Sequence, residues 1–148
     1  MIKIPAKVLI VDDEKDFVEM FTLRLQEAGQ KVFAAYNGKE GLEMLDAHPD
    51  IDVVVLDIKM PGMDGIETLQ EINRKHPVVE VILLTGHGTI ETAVQGMKLG
   101  AYDYVLKPAD LEDFKNKLEG ARKRKAEQEE RIRKAEQRAM IRKSGEVY

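Results

Sequence analysis

The sequence predicts a doubly wound α/β fold, a five-stranded parallel sheet with helices on both faces. Three observations carry that prediction. Five short apolar runs alternate strictly with five segments of helical periodicity. Runs such as Val8-Leu9-Ile10-Val11 and Val53-Val54-Val55-Leu56 are apolar at every position, as expected of parallel strands covered on both sides. A chain of 148 residues, 43% of them hydrophobic, also holds enough apolar side chain for one proper core.

Each element follows from local signals. Lys7–Val11 is too short for a helix and rich in β-branched residues, so it reads as the first strand. Phe17, Phe21, Leu25 and Ala28 then recur at helical spacing until Gly29. Lys31–Ala35 is the second strand, and Asn37-Gly38 opens a helix through Leu42 and Leu45 that ends near Pro49. Val53–Leu56 is the third strand, and Ile66, Leu69 and Ile72 mark a helix that stops before Pro77. Val81–Leu84 is the fourth strand. Ile90, Val94 and Met97 make a short helix closed by Gly100, and Tyr102–Leu106 is the fifth strand. From Leu111 onward the chain is helical. A flavodoxin-like order, 2-1-3-4-5, is one common arrangement of such a sheet, and spacing alone does not choose it.

Composition narrows the class of function. The absence of cysteine excludes disulfides, thiolate zinc sites and cysteine nucleophiles. The first residues carry acids directly after a short apolar run, unlike a signal peptide, and no run approaches the ~18 apolar residues of a membrane span. A soluble, cytoplasmic protein without membrane contact is expected. Residues 1–109 hold 11 Lys/Arg against 18 Asp/Glu, a net of −7, whereas residues 110–148 hold 12 against 9, a net of +3. The acidic body is a poor nucleic-acid binder, and the mixed tail is not a basic block, so no direct nucleic-acid contact is expected.

Such folds bind ligands at the carboxyl ends of their strands. There the sequence places Asp12-Asp13-Glu14 after strand one, Asp57 after strand three, Thr85-Gly86 after strand four and Lys107-Pro108 after strand five. Singly, each has a plain structural role: a helix cap, a capped turn, a turn threonine, a solvated lysine. Together they are costly, because clustered carboxylates repel. A divalent cation and the Lys107 ammonium would offset that repulsion. Oxygen-only ligands favour Mg²⁺ or Mn²⁺, and Mg²⁺ beside a free carboxylate, a hydroxyl and a lysine suits phosphoryl transfer. Asp57 is then the candidate nucleophile, forming an acyl phosphate.

The segments VLIVDDE, VVVLDIKMPGMDG, VILLTGHG and AYDYVLKPAD, in this order, resemble the receiver domain of bacterial response regulators from about Lys7 to Gly120. The resemblance implies the flavodoxin-like order and a role for each motif position. Asp57 would accept a phosphoryl group from a sensor histidine kinase. Asp12, Asp13, Asp57 and the backbone carbonyl of Lys59 would hold Mg²⁺. Lys107 and Thr85 would contact the phosphoryl group, and Tyr104 would be an aromatic switch coupled to Thr85. Lys59 and His87, each two residues after a site residue, would tune dephosphorylation. The chain would be a signalling receiver and no enzyme beyond its own phosphorylation and dephosphorylation. A variant of this reading is a phosphorelay intermediate that passes the group to a histidine phosphotransfer protein.

Two other classes fit less well. An aspartate-nucleophile phosphatase generally needs an acid two residues after the nucleophile, where this chain has Lys59. A dinucleotide enzyme needs a third glycine beyond Gly86-His87-Gly88. The remaining segment, 121–148, reads as a helical polar extension of a receiver domain spanning 1–120. Leu111, Phe114, Leu118 and Ala121 repeat at three–four spacing, continued by Lys125, Gln128, Ile132, Ala135 and Ala139. A helix from Leu111 to Lys143 would be about 50 Å long at ~1.5 Å per residue. It is expected as a solvated helix, as a docking arm for a partner, or as a two-helix homodimer pairing, which Lys125 and Gln128 at seam positions would make weak. Too few residues follow for an output domain, so a stand-alone receiver, or a regulator shortened before its output, is expected. The downstream partner is not legible.

Overall fold

The computed structural model describes residues 5–59, 64–86, 90–107 and 110–145. It contains β1 (Lys7–Val11), α1 (Lys15–Glu27), β2 (Lys31–Ala35), α2 (Gly38–Ala47), β3 (Val53–Asp57), α3 (Gly65–Lys75), β4 (Glu80–Thr85), α4 (Ile90–Lys98), β5 (Asp103–Leu106) and α5 (Leu111–Gly145). The strands form one parallel sheet in the order β2-β1-β3-β4-β5. Three strands differ at their ends from the sequence expectation: β3 reaches Asp57, β4 runs from Glu80 to Thr85, and β5 begins at Asp103. Pairing of Asp57 with Leu84 and of Glu80 with Val53 explains the first two, because ladder partners extend a strand into polar residues.

The central strands are buried on both faces, which is why their sequences do not alternate. Leu9, Val11, Val54, Leu56 and Leu83 pack toward Leu42, Leu45, Leu69 and Ile72. Val8, Ile10, Val55, Ile82 and Leu84 pack toward Val18, Phe21, Leu25, Phe114 and Leu118. Side chains from a single strand divide between these two layers with a period of two. Helix ends obey local chemistry: Asn37 and Asp64 cap α2 and α3 by accepting the amides of Glu40 and Glu67, both at 2.8 Å. Gly29 and Gly100 follow α1 and α4 at φ of 91° and 103°, a region closed to most side chains. Ile90, Val94 and Met97, which mark α4 in the sequence, lie on its exposed side, and Ala93 and Gly96 face the sheet instead. Leu83 fills the space a Cβ on Gly96 would need, so only a small residue lets α4 approach this closely.

α5 is one continuous helix through Gly120, where the Tyr102 side chain crosses it against the bare Cα. Phe114, Leu118 and Ala121 are buried, and so is Lys125, one turn further on. Lys125 Nζ lies 3.0 Å from Asp52 Oδ1, while Asp52 Oδ2 accepts the Lys7 amide at 2.9 Å. Arg124 pairs with the buried Glu80 and stacks over Tyr102 at 4.9 Å. These charges clamp α5 to the amino-terminal edge of the sheet. Residues 131–143 are exposed throughout.

The clamp has a measurable consequence. Lys125→Ala leaves Asp52 without its side-chain partner and is expected to cost about 1–3 kcal/mol in urea denaturation. Arg131→Ala, beyond the clamp, is expected to change stability by less than about 0.5 kcal/mol.

Candidate phosphoryl-transfer site

Parallel pairing carries four strand ends to one edge of the sheet, and there the expected residues meet. Asp12 follows β1, is fully buried, and accepts the Glu14 amide on Oδ1 at 2.9 Å. The acid pair therefore does not cap α1; Glu14 occupies the cap position without a side-chain capping bond. Asp57 ends β3, is 7% exposed, and accepts the Lys59 amide on Oδ1 at 3.1 Å. Gly65 begins α3 against this strand end: a Cβ there would stand 2.5 Å from the Ile58 Cα, so glycine alone allows the helix to abut the site.

Lys107 arrives from beyond β5, its amide bonded to the Thr85 carbonyl at 2.8 Å. Its Nζ lies 2.6 Å from Asp12 Oδ2, 3.0 Å from Glu14 Oε1 and 3.7 Å from Asp57 Oδ2. Carboxylate oxygens of Asp12, Asp13 and Asp57 all fall within 4.8 Å of one another. An all-oxygen set of three acids, one exposed and two buried, fits a hard divalent cation such as Mg²⁺ and no thiophilic metal. A small cavity of about 150 Å³ beside it is lined by Glu14, Asp57, Ile58, Lys59, Leu84, Gly86 and Lys107.

The electrostatics follow from this crowding. Burial and then the Asp12 charge push the Asp57 carboxyl up to about 6, against the opposing pull of Lys107 and the Lys59 amide. Burial draws Lys107 down, but contacts with Asp12 and Glu14 and the charge of Asp57 outweigh it and hold the ammonium above its ordinary value. Asp57 is thus a poorly solvated carboxylate beside a cation that stays charged.

Thr85 ends β4, 2% exposed, and its Oγ1 finds no hydrogen-bond partner among the described residues. An unsatisfied buried hydroxyl is costly, so its position favours a state in which an acceptor reaches it. Tyr104 is not drawn into the site. The residue is 43% exposed and lines an apolar cavity of about 330 Å³ together with Thr85, Ile90, Ala93, Val94 and Met97. Lys117 holds this strand from outside, donating to the Tyr104 carbonyl at 2.7 Å. Lys59 is exposed. His87, Pro108 and the Met60-Pro61-Gly62 break lie outside the described residues. Sequence reasoning missed Phe17, whose ring lies 4.6 Å from Lys107 Nζ. It reads as an ordinary core aromatic, and only its three-residue spacing from Glu14 hints at more.

The comparisons with known proteins agree with this geometry. The family model of the response regulator receiver domain matches residues 8–119. The regulatory protein AtoC of Escherichia coli strain K12 is 41% identical over 109 residues, covering 73% of this chain and 23% of AtoC. A putative NtrX-like response regulator of Rickettsia bellii is 44% identical over 103 residues, covering 68% of this chain and 21% of that protein. The chain therefore spans less than a quarter of the length of these curated relatives. The crystal structure of a response regulator receiver domain protein from Clostridium thermocellum superposes with a TM-score of 0.79 at 37% identity, covering 82% of this chain and 97% of that one.

The raised carboxyl makes a pH-dependent prediction. A folded-state pKa of about 6 means that the folded protein binds a proton on Asp57 more readily than the unfolded chain does. Asp57 therefore destabilises the metal-free fold increasingly as pH rises from about 4 through 6. Asp57→Asn is expected to stabilise metal-free protein by about 1–2 kcal/mol at pH 7 and by almost nothing at pH 4, measured by denaturation at both values.

Proposed function

The chain belongs to the response regulator receiver family, a signalling family of two-component systems, and we propose that Asp57 is the residue on which it accepts a phosphoryl group. The observation that carries this reading is the meeting of Asp57 with Asp12, Asp13 and Lys107 at the carboxyl ends of β3, β1 and β5. In this reading the donor is a phosphohistidine of a sensor kinase. A carboxylate oxygen of Asp57 bonds to phosphorus as the P–N bond breaks, and the electron pair stays on the imidazole, which takes up a proton. The carboxylates of Asp12, Asp13 and Asp57, with the Lys59 carbonyl, would hold Mg²⁺, which when bound would supply positive charge against the phosphoryl oxygens. Lys107 adds a second positive charge, and burial of the site strengthens it.

A phosphoryl group brings about −1.5 to −2 charge and three strong acceptors. One acceptor satisfies the Thr85 hydroxyl, which is buried and has no partner among the described residues. The end of β4 then shifts toward Asp57, and Tyr104 turns into the apolar cavity it borders with Thr85. Lys59 and His87, each two residues after a site residue in the sequence, tune dephosphorylation in this reading. No catalysis beyond the chain's own phosphorylation and dephosphorylation is invoked, and the reading places the chain in the cytoplasm.

We take residues 1–120 as the receiver unit and 121–148 as its helical extension, with the seat of Ala121 and Lys125 making the junction rigid. The extension carries the switch outward to a downstream protein. A second copy paired along Gln128, Ile132, Ala135 and Ala139 would be weakly held, because Ile132 is the one large apolar side chain on that seam.

Incubation with radiolabelled acetyl phosphate and Mg²⁺ tests the assignment. Wild-type protein is expected to incorporate label, Asp57→Asn none, and Lys107→Ala at least tenfold less at equal times. Labelling of Asp57→Asn at the wild-type rate would remove Asp57 from its role. Chelation of Mg²⁺ is expected to stop incorporation in every variant.

A further inference from the structure

We propose that Phe17 is a positioning residue for phosphoryl transfer, holding the Lys107 ammonium over the site through the face of its ring. The proposal rests on the reading of Asp57 as phosphoacceptor and Lys107 as its cation. Its geometry is independent of that reading. Lys107 Nζ lies 4.6 Å from the centroid of the Phe17 ring, within the range in which a cation is attracted to an aromatic face. The Lys107 side chain is only 15% exposed, so water screens this attraction little.

The ring does something that the carboxylates around Lys107 do not. Asp12 at 2.6 Å and Glu14 at 3.0 Å hold the ammonium through directed contacts, and both lie closer to it than Asp57 at 3.7 Å. An incoming phosphoryl oxygen must replace at least one of these contacts. The Glu14 side chain is 65% exposed, a weak partner that water readily substitutes. A π face attracts the charge as a whole and leaves N–H donors free to exchange between oxygens. It keeps the ammonium at the site while N–H donors pass from carboxylate to phosphoryl oxygen. Glu14 and Phe17 stand three residues apart at the start of α1, so one helix end presents both the exchangeable and the constant partner.

The ring is itself held in place. Phe17 stacks on Phe21 with centroids 5.3 Å apart, and Phe21 meets Phe114 edge-on at 4.8 Å. Phe114 is fully buried on α5. The position of Lys107 is thereby tied through three aromatic rings to the core between α1 and α5, on the opposite face of the sheet from α4.

Full-length protein with acetyl phosphate and Mg²⁺ tests this. Phe17→Leu keeps apolar bulk and is expected to lower the maximal phosphorylation rate about two- to fivefold with the donor KM unchanged. Phe17→Trp is expected to restore the wild-type rate. In Lys107→Met protein, Phe17→Leu is expected to add no further loss. In wild-type protein the ring should shift the Lys107 ε-methylene protons upfield in NMR spectra, and Phe17→Leu should abolish that shift at unchanged melting temperature. The proposal is overturned if Phe17→Leu phosphorylates at the wild-type rate, or if it slows the Lys107→Met protein by the same factor. A wild-type protein that takes up no phosphate would count against the role of Asp57, and the ring-current shift would still decide whether Phe17 holds Lys107.

Discussion

The ammonium of Lys107 stands among Asp12, Glu14 and Asp57, and the folded site depends on that placement because acids held this close in a largely dry corner repel one another. The parallel sheet creates the difficulty and also its remedy. It brings β1 and β3 side by side, so that their terminal carboxylates converge, and it delivers Lys107 from the far side of β4. What the lysine leaves uncompensated emerges as the raised carboxyl of Asp57. A carboxylate that the fold solvates badly gains by acquiring a cationic partner.

Charge is managed differently at the opposite edge. There Lys125 meets Asp52 and Arg124 meets Glu80, each pair joining α5 to the start of a strand. These pairs are complete, and what they fix is the direction of a helix. The carboxyl edge thus holds a buried hydroxyl, Thr85 Oγ1, that has no partner among the described residues, whereas at the amino edge Asp52 and Glu80 each meet a cation. Between them lie two apolar layers that divide each strand's side chains.

Much of this was legible from residues alone. The apolar runs announced buried parallel strands, and four polar interruptions at their ends announced the site: Asp12, Asp57, Thr85 and Lys107 fall where expected. Other residues misled or stayed silent. Ile90, Val94 and Met97 signal a helix correctly, yet their apolar stripe faces outward because Ala93 and Gly96 allow closer approach to the sheet. Gly120 lies inside the helix the sequence predicts, and its spacing does not show that its missing Cβ makes room for Tyr102. Lys125 looks like a solvated seam residue and is instead buried on a partner 73 positions away. Phe17 has the spacing of a core aromatic and the contacts of a site residue.

The division has a physical cause. Strand and helix type, the alternation of the two, the acids and the lysine at the strand ends, and the polar composition of the last helix are all local properties. Periodicity, β-branching and capping chemistry act over a few residues, so the sequence by itself determined them. Tertiary structure decided which face of α4 is covered, that Asp12 is buried while Asp13 is not, and that Lys107 lies nearer Asp12 than Asp57. It also decided that the helix is clamped at Lys125, and that an aromatic ring lies beside Lys107. Those outcomes depend on distances between residues far apart in the chain, and only packing sets such distances.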